Sequence, residues 1–195
     1  MKKQTILFFF LTLLPCALFA QSDSIGIYML NGDVISQIEP IKNNGYKANT
    51  LGAAVSMGIA NSTIRVTFKE PTSKNKANRD TSFYFYYNPN IGNNARLLMT
   101  YYMFATGVSP EVDFSLVKFI KKGKTRELKT GTVNVYAGVN INTETNTNAR
   151  FLVTKVSDIK YKVTLHDVDP GEYCFMYDGI NGSGAYMPVF DFSIE

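Results

Sequence analysis

Past residue 24 the chain reads as short apolar runs broken at close intervals by Gly, Asn, Asp and Pro, the pattern of strands and turns. The clearest alternation is Thr63 to Lys69, where Ile64, Val66 and Phe68 interleave with Arg65, Thr67 and Lys69, as in a sheet with one wet face. Ile25–Leu30 and Val34–Ile38 flank Asn31-Gly32-Asp33, and Asn-Gly tolerates the positive φ of a tight hairpin. In Phe83-Tyr84-Phe85-Tyr86-Tyr87 aromatic rings fall on both faces, which predicts a central strand covered on each side. Further strands are expected at Phe114–Ile120, Thr125–Lys129, Thr132–Tyr136, Phe151–Val156, Tyr161–Leu165, Gly171–Tyr177 and Val189–Ile194.

Helical spacing occurs once. Leu51, Ala54, Val55, Gly58 and Ile59 fall at i, i+3, i+4, i+7 and i+8, predicting one short helix near residues 48–59. Glu70–Ser82 has no apolar period and reads as a long, solvated loop, as does Asn140–Asn148. The expected fold class is all-β, a β-sandwich, with residues 21–195 as one domain and a possible subdomain seam near 107–111.

The first twenty residues differ from the rest. Lys2 and Lys3, an apolar run from Ile6 to Phe19, and Ala20 before Gln21-Ser22-Asp23-Ser24 match a secretory signal peptide at residues 1–20. The run is shorter than the roughly 20 residues a membrane-spanning helix needs. An alternative is lipid anchoring at Cys16, but Pro15 stands where a lipobox wants a small residue. The expected location is therefore periplasmic, cell-surface or secreted, with no transmembrane span in the mature chain.

Composition narrows the partners. The net charge is +4 and two of those charges belong to Lys2 and Lys3, so nothing argues for nucleic acid. Cleavage leaves Cys174 as the single cysteine and excludes an internal disulfide. The basic cluster Lys118, Lys121, Lys122, Lys124 and Arg126 surrounds Gly123 and reads as a solvated hairpin tip.

Asp167-Val168-Asp169-Pro170-Gly171-Glu172-Tyr173 is the most specific local motif. It resembles the corner of immunoglobulin-like and fibronectin-like sandwiches, where Pro170 and Gly171 would turn the chain between sheets and Tyr173 would bond back to the backbone. The order of Met57-Gly58-Ile59, Ile64-Arg65, Phe83-Tyr84-Phe85-Tyr86, Ser109-Pro110, Phe114–Phe119, Arg126-Glu127-Leu128 and Pro170–Tyr173 resembles a family of uncharacterised secreted bacterial proteins. That resemblance implies an exported β-sandwich and supplies no catalytic residue.

Candidate chemistry is sparse. His166 is the single histidine, and no Gly-x-Ser-x-Gly elbow presents a serine, so neither a hydrolytic triad nor a zinc site is legible. Asp167, Asp169 and Asp178 are candidate calcium ligands, set against the ordinary preference of aspartate for turns. Tyr84, Tyr86, Tyr101 and Tyr102 are candidates for a ligand-stacking surface, weakened by the absence of tryptophan. No cofactor is expected. The leading expectation is an exported, non-enzymatic binding or structural module of the cell envelope, with a protein or glycan partner. The alternatives are an exported enzyme with a carboxylate-based site, such as a glycan hydrolase, and a lipid-anchored surface protein engaging another protein.

Overall fold

A computed structural model describes residues 25–49, 60–88, 103–134, 136, 138–140, 149–178 and 188–195. The proposed signal peptide, Cys16, Tyr101 and Tyr102 lie outside them. The strands are β1 (Gly26–Asn31), β2 (Val34–Ile38), β3 (Tyr46–Asn49), β4 (Ser62–Lys69), β5 (Lys76–Ala77), β6 (Ser82–Tyr86), β7 (Phe114–Lys118), β8 (Ile120–Lys122), β9 (Thr125–Asn134), β10 (Gly138–Asn140), β11 (Arg150–Lys155), β12 (Lys160–His166), β13 (Gly171–Tyr177) and β14 (Val189–Ile194). A helical turn at 103–106 and the short α1 (Pro110–Asp113) precede β7. No helix among the described residues is long and apolar enough to cross a membrane.

Three sheets form. One has the order β11-β12-β6-β1-β2, a second β10-β9-β4-β3 with β8 paired to β9, and a third β5-β14-β13-β7. The third lies between the other two, because its side chains alternate between two cores. Phe114, Leu116, Tyr173, Phe175, Phe190, Phe192 and Ile194 pack with Ile27, Met29, Phe83, Phe85 and Val163 of the first sheet. Val117, Cys174, Met176 and Val189 turn the other way, onto Val66, Phe68 and Leu128 of the second. All six residues of β14 are buried, and six of the seven in β13, as expected of strands without a solvent face.

Aromatic edges join the layers on the first side. Phe83 meets Phe175 at 5.2 Å and Phe192 at 4.8 Å between ring centroids, and Phe85 meets Phe175 at 5.0 Å. Such pairs add about 0.5–1.5 kcal/mol each beyond the area they bury.

The β1–β2 hairpin turns at Asn31-Gly32-Asp33, with Gly32 at φ +57. The two strands expected at 125–129 and 132–136 are one strand, β9, whose pairing with β4 shifts register between Ile64 and Arg65. Thr130 is the extra residue there, a β-bulge that lets a ten-residue strand keep Arg126 and Leu128 inward.

Two expectations need correction. Ala48 and Asn49 are not helical; they extend β3, opposite Ile64 and Thr63, because β4 offers them a partner edge. The remainder of the expected helix lies outside the described residues. Residues 70–82 are not a free loop: β5 pairs in parallel with β14, and the Ser193 and Glu195 amides donate to Asn75 and Ala77 carbonyls at 2.8 and 3.2 Å. Strands from both sides of residues 107–111 occur in all three sheets, so that stretch does not divide the described fold.

One segment ties the layers together at the edge. After β2 the chain meets the central sheet, where the Ile41 amide donates to the Val189 carbonyl at 2.9 Å and the Val189 amide donates to the Ile41 carbonyl at 3.3 Å. It then joins the second sheet, with the Asn44 amide on the Thr67 carbonyl at 2.8 Å and the Lys69 amide on Asn44 Oδ1 at 2.8 Å. Residues 39–45 are thus a strap across three layers.

Candidate functional site

Between the central and second sheets the alternation brings one cation and two carboxylates into the interior. Arg126 precedes Leu128 on the inward face of β9, and Glu172 and Asp191 share the corresponding faces of β13 and β14 with Cys174 and Ser193. Arg126 is 2% exposed, which overturns its expected place on a solvated hairpin tip. The tip itself is Lys121–Lys124, turned by Gly123 at φ +58, while Arg126 lies past it and points inward.

The guanidinium is held on three sides. Nη1 sits 2.7 Å from Asp191 Oδ2 and 3.3 Å from Glu172 Oε2, and Nε donates to the Glu70 carbonyl at 3.1 Å. One face of the group lies over the Phe119 ring, 4.7 Å from its centroid. Glu172 is also satisfied elsewhere: the Ser73 amide donates to Oε2 at 2.7 Å and the Ser193 hydroxyl to Oε1 at 2.6 Å. Ser73 Oγ and Asn75 Nδ2 donate to the Asp191 carbonyl at 3.2 and 2.9 Å. These bonds explain why the polar 70–75 segment is ordered: its donors and Glu70 carbonyl complete an ionic cluster that apolar neighbours leave otherwise unsolvated. Glu70 takes a left-handed φ of +68 where it receives the Arg126 bond. Nη2 makes no hydrogen bond with the described residues.

Arg126 and Asp191 form the floor of a cleft of about 440 Å³. Its walls are the end of β2 at Gln37, the strap with Glu39, Ile41, Lys42 and Asn44, and the end of β4 with the following segment, at Phe68, Lys69, Glu70, Lys74 and Asn75. The side chains of Lys42, Lys69 and Lys74 are exposed and make no ion pair among the described residues. Asp191 at the floor and Glu172 behind it set two carboxylates against the Arg126 cation, and the rim sets three lysines against Glu39 and Glu70. Beside the floor, burial first and the Asp191 charge second push the Cys174 thiol well above its ordinary pKa, partly opposed by the Arg126 cation.

The residues singled out in the sequence lie elsewhere. The Tyr173 hydroxyl donates to the Asp169 carbonyl at 2.9 Å, four residues upstream, with Pro170 and Gly171 between. Asp167 adopts φ +54 in the turn before it. Asp178 lies at the other end of the seven-residue β13, about 20 Å along the strand from Asp169. The three aspartates therefore do not converge on a cation, and no group of three metal-ligating side chains forms among the described residues. Asp178 instead accepts a hydrogen bond from the Ser115 hydroxyl, and burial raises its pKa against that bond.

Tyr84 and Tyr86 project from the first sheet away from the core, and the Lys160 ammonium sits over both rings, 4.6 and 4.9 Å from their centroids. Tyr86 is 4% exposed and packs edge-on against Tyr28, so the pair does not present a flat stacking platform.

A second polar cluster surrounds α1. Asp113 Oδ2 accepts the Val108 and Ser109 amides at 2.7 and 3.0 Å. Gly107 passes so close that a Cβ would meet the Met103 carbonyl, the same Asp113 oxygen and, at 2.8 Å, Tyr87 Cε1. The Tyr87 hydroxyl is buried without a hydrogen-bond partner, and burial, then the Asp113 charge, push its pKa far above the usual phenol value. This arrangement closes the end of the first core around Tyr87, Phe104 and Phe114.

Sequence reading missed the arginine cluster because Arg126 stands among basic neighbours. The signal was in its partners: Glu172 interrupts a strand otherwise apolar on both faces, Asp191 stands between Phe190 and Phe192, and a buried carboxylate demands a cation or several donors. Compared with known protein families, curated proteins and solved structures, the chain matches none, so the identity of the cleft rests on its own geometry.

Proposed function

We propose that this chain is an exported, non-enzymatic binding module of the cell envelope, and that the cleft over Arg126 is its ligand site. Export rests on the character of residues 1–20. The observation that carries the binding reading is the floor: a nearly buried guanidinium, locked by two carboxylates and the Glu70 carbonyl, with Nη2 left over beneath an open, cation-rimmed cleft. A preformed polar group of this kind meets a ligand without reorganising, which is the usual basis of selective recognition. Glu172 and Asp191 are committed to Arg126 and to serine and amide donors, an arrangement suited to holding a shape rather than to shuttling protons.

The test is thermal unfolding against envelope glycans, peptidoglycan fragments, lipopolysaccharide and acidic peptides, on the protein and on a Lys74→Trp variant that fills the cleft mouth. A ligand at 100 times its Kd adds about 2.7 kcal/mol, a shift of roughly 5–11 °C for a domain of this size. A shift abolished by Lys74→Trp supports the reading. A shift that persists in the variant moves the site elsewhere, and a flat response across the panel overturns the binding module.

A further inference from the structure

We infer that the cleft takes an extended acidic peptide segment, one backbone carbonyl accepting from Arg126 Nη2 while carboxylate side chains meet Lys42, Lys69 and Lys74; the inference rests on the cleft being the ligand site. Floor and rim differ in charge, and the difference selects the ligand. At the floor Arg126 is outweighed by Asp191 and Glu172, so an anion pressed against Nη2 would be repelled by two carboxylates held within 3.3 Å of the neighbouring nitrogen. A neutral acceptor, such as an amide carbonyl, bonds to Nη2 without that cost. At the rim three lysines face two glutamates and favour negative charge. The ligand that fits both levels is acidic at its periphery and carries neutral carbonyls along its spine, which describes a peptide.

A saccharide fits less well. Sugar recognition leans on exposed aromatic faces, and the one ring in the cleft, Phe68, is 2% exposed with its ring set edge-on to Phe119 at 5.3 Å. The polar side groups nearest the floor suit a peptide backbone. Asn75 Nδ2 is engaged by the Asp191 carbonyl and Asn44 Oδ1 by the Lys69 amide, leaving Asn75 Oδ1 to accept an amide N–H and Asn44 Nδ2 to donate to a carbonyl.

The experiment is calorimetric titration with acetyl-Glu-Glu-Glu-amide, with tricarballylate as a trianion lacking amides, and with an oligogalacturonate as an acidic sugar. These are titrated into the protein and into K42Q/K69Q/K74Q, whose substitutions lie on the exposed rim and leave the buried cluster intact. Binding of the peptide, weakened about tenfold in the triple variant and further by added salt, with tricarballylate at least as weak as that, is the expected result. Equal binding of peptide and tricarballylate refutes the carbonyl contact at Nη2. Binding of the oligogalacturonate and not the peptide overturns the peptide assignment while preserving the cleft as a site. Equal peptide affinity in protein and triple variant overturns the inference, and failure of every probe on a folded protein overturns it while the wider panel of envelope ligands still judges the cleft.

Discussion

Replacing Arg126 with methionine tests the central claim about the interior. The substitution keeps most of the side-chain volume and its contact with Phe119 but leaves Asp191 Oδ2 without its 2.7 Å partner and Glu172 without its 3.3 Å one. Removing one member of a buried ionic cluster costs about 3–5 kcal/mol, because the remaining charges stay desolvated and unpaired. The Glu70 carbonyl also loses its donor at a residue held at positive φ. At roughly 2–4 °C per kcal/mol for a domain of this size, the midpoint should fall by roughly 6–20 °C. Urea unfolding followed by tyrosine fluorescence, with m unchanged, gives the free energy directly. The control is R126M/E172Q/D191N, in which the amide oxygen introduced at position 172 can still accept from the Ser73 amide while its NH2 donates to the Ser193 hydroxyl; it should recover a large part of the loss. A loss below about 1 kcal/mol in R126M, or no recovery in the triple variant, would refute the reasoning that these groups form one desolvated unit.

Three further outcomes follow from the same geometry. Tyr173→Phe removes the bond to the Asp169 carbonyl and should cost about 0.5–1.5 kcal/mol in chemical unfolding, more if that carbonyl is left without water. Tyr87→Phe removes a buried hydroxyl that has no partner and should be neutral or slightly stabilising, so a loss above about 1 kcal/mol would show that the hydroxyl reaches Asp113. Asp178 has a raised folded-state pKa, so the native state binds its proton more tightly than the unfolded chain does. Its contribution is present at pH below the unfolded carboxylate value and is lost as pH rises through the folded one. Asp178→Asn should therefore be relatively more stable at neutral pH, with the advantage shrinking on acidification through the carboxylate range; unfolding curves that stay parallel across that range would contradict the burial argument.

How much of this was written in the chain varies with the element. β4 and the β1–β2 hairpin were legible because alternation and an Asn-Gly turn are local signals. The tyrosine corner was legible for the same reason. β13 and β14 were visible as strands; the continuous burial of β13 explains its nearly unbroken apolar run, whereas Asp191 and Ser193 alternate with Phe190, Phe192 and Ile194 in β14. The three-layer arrangement was not legible, since it depends on which sheet each of those strands enters. β5 has two residues and no period, and its strand geometry comes entirely from β14. Arg126 was hidden because charge composition describes neighbours in sequence, whereas its surroundings are set by Glu172 and Asp191, far along the chain.

The central sheet also has a bearing on how the molecule comes to be folded. The Ser73 hydroxyl meets the Asp191 carbonyl across 118 positions of sequence, and the Ser73 amide meets Glu172 across 99. Local hairpins can close early, but the wall shared by both cores waits for partners that arrive more than half the chain later. Chains dominated by such distant pairings fold slowly, because loop closure must precede any reward. Until β14 docks, the parts of the first and second sheets that Phe190, Phe192, Ile194 and Val189 cover are open. A nascent chain therefore passes through a sticky interval whose length is set by the docking of β14, which makes β14 the natural point at which a chaperone or a truncation would decide its fate.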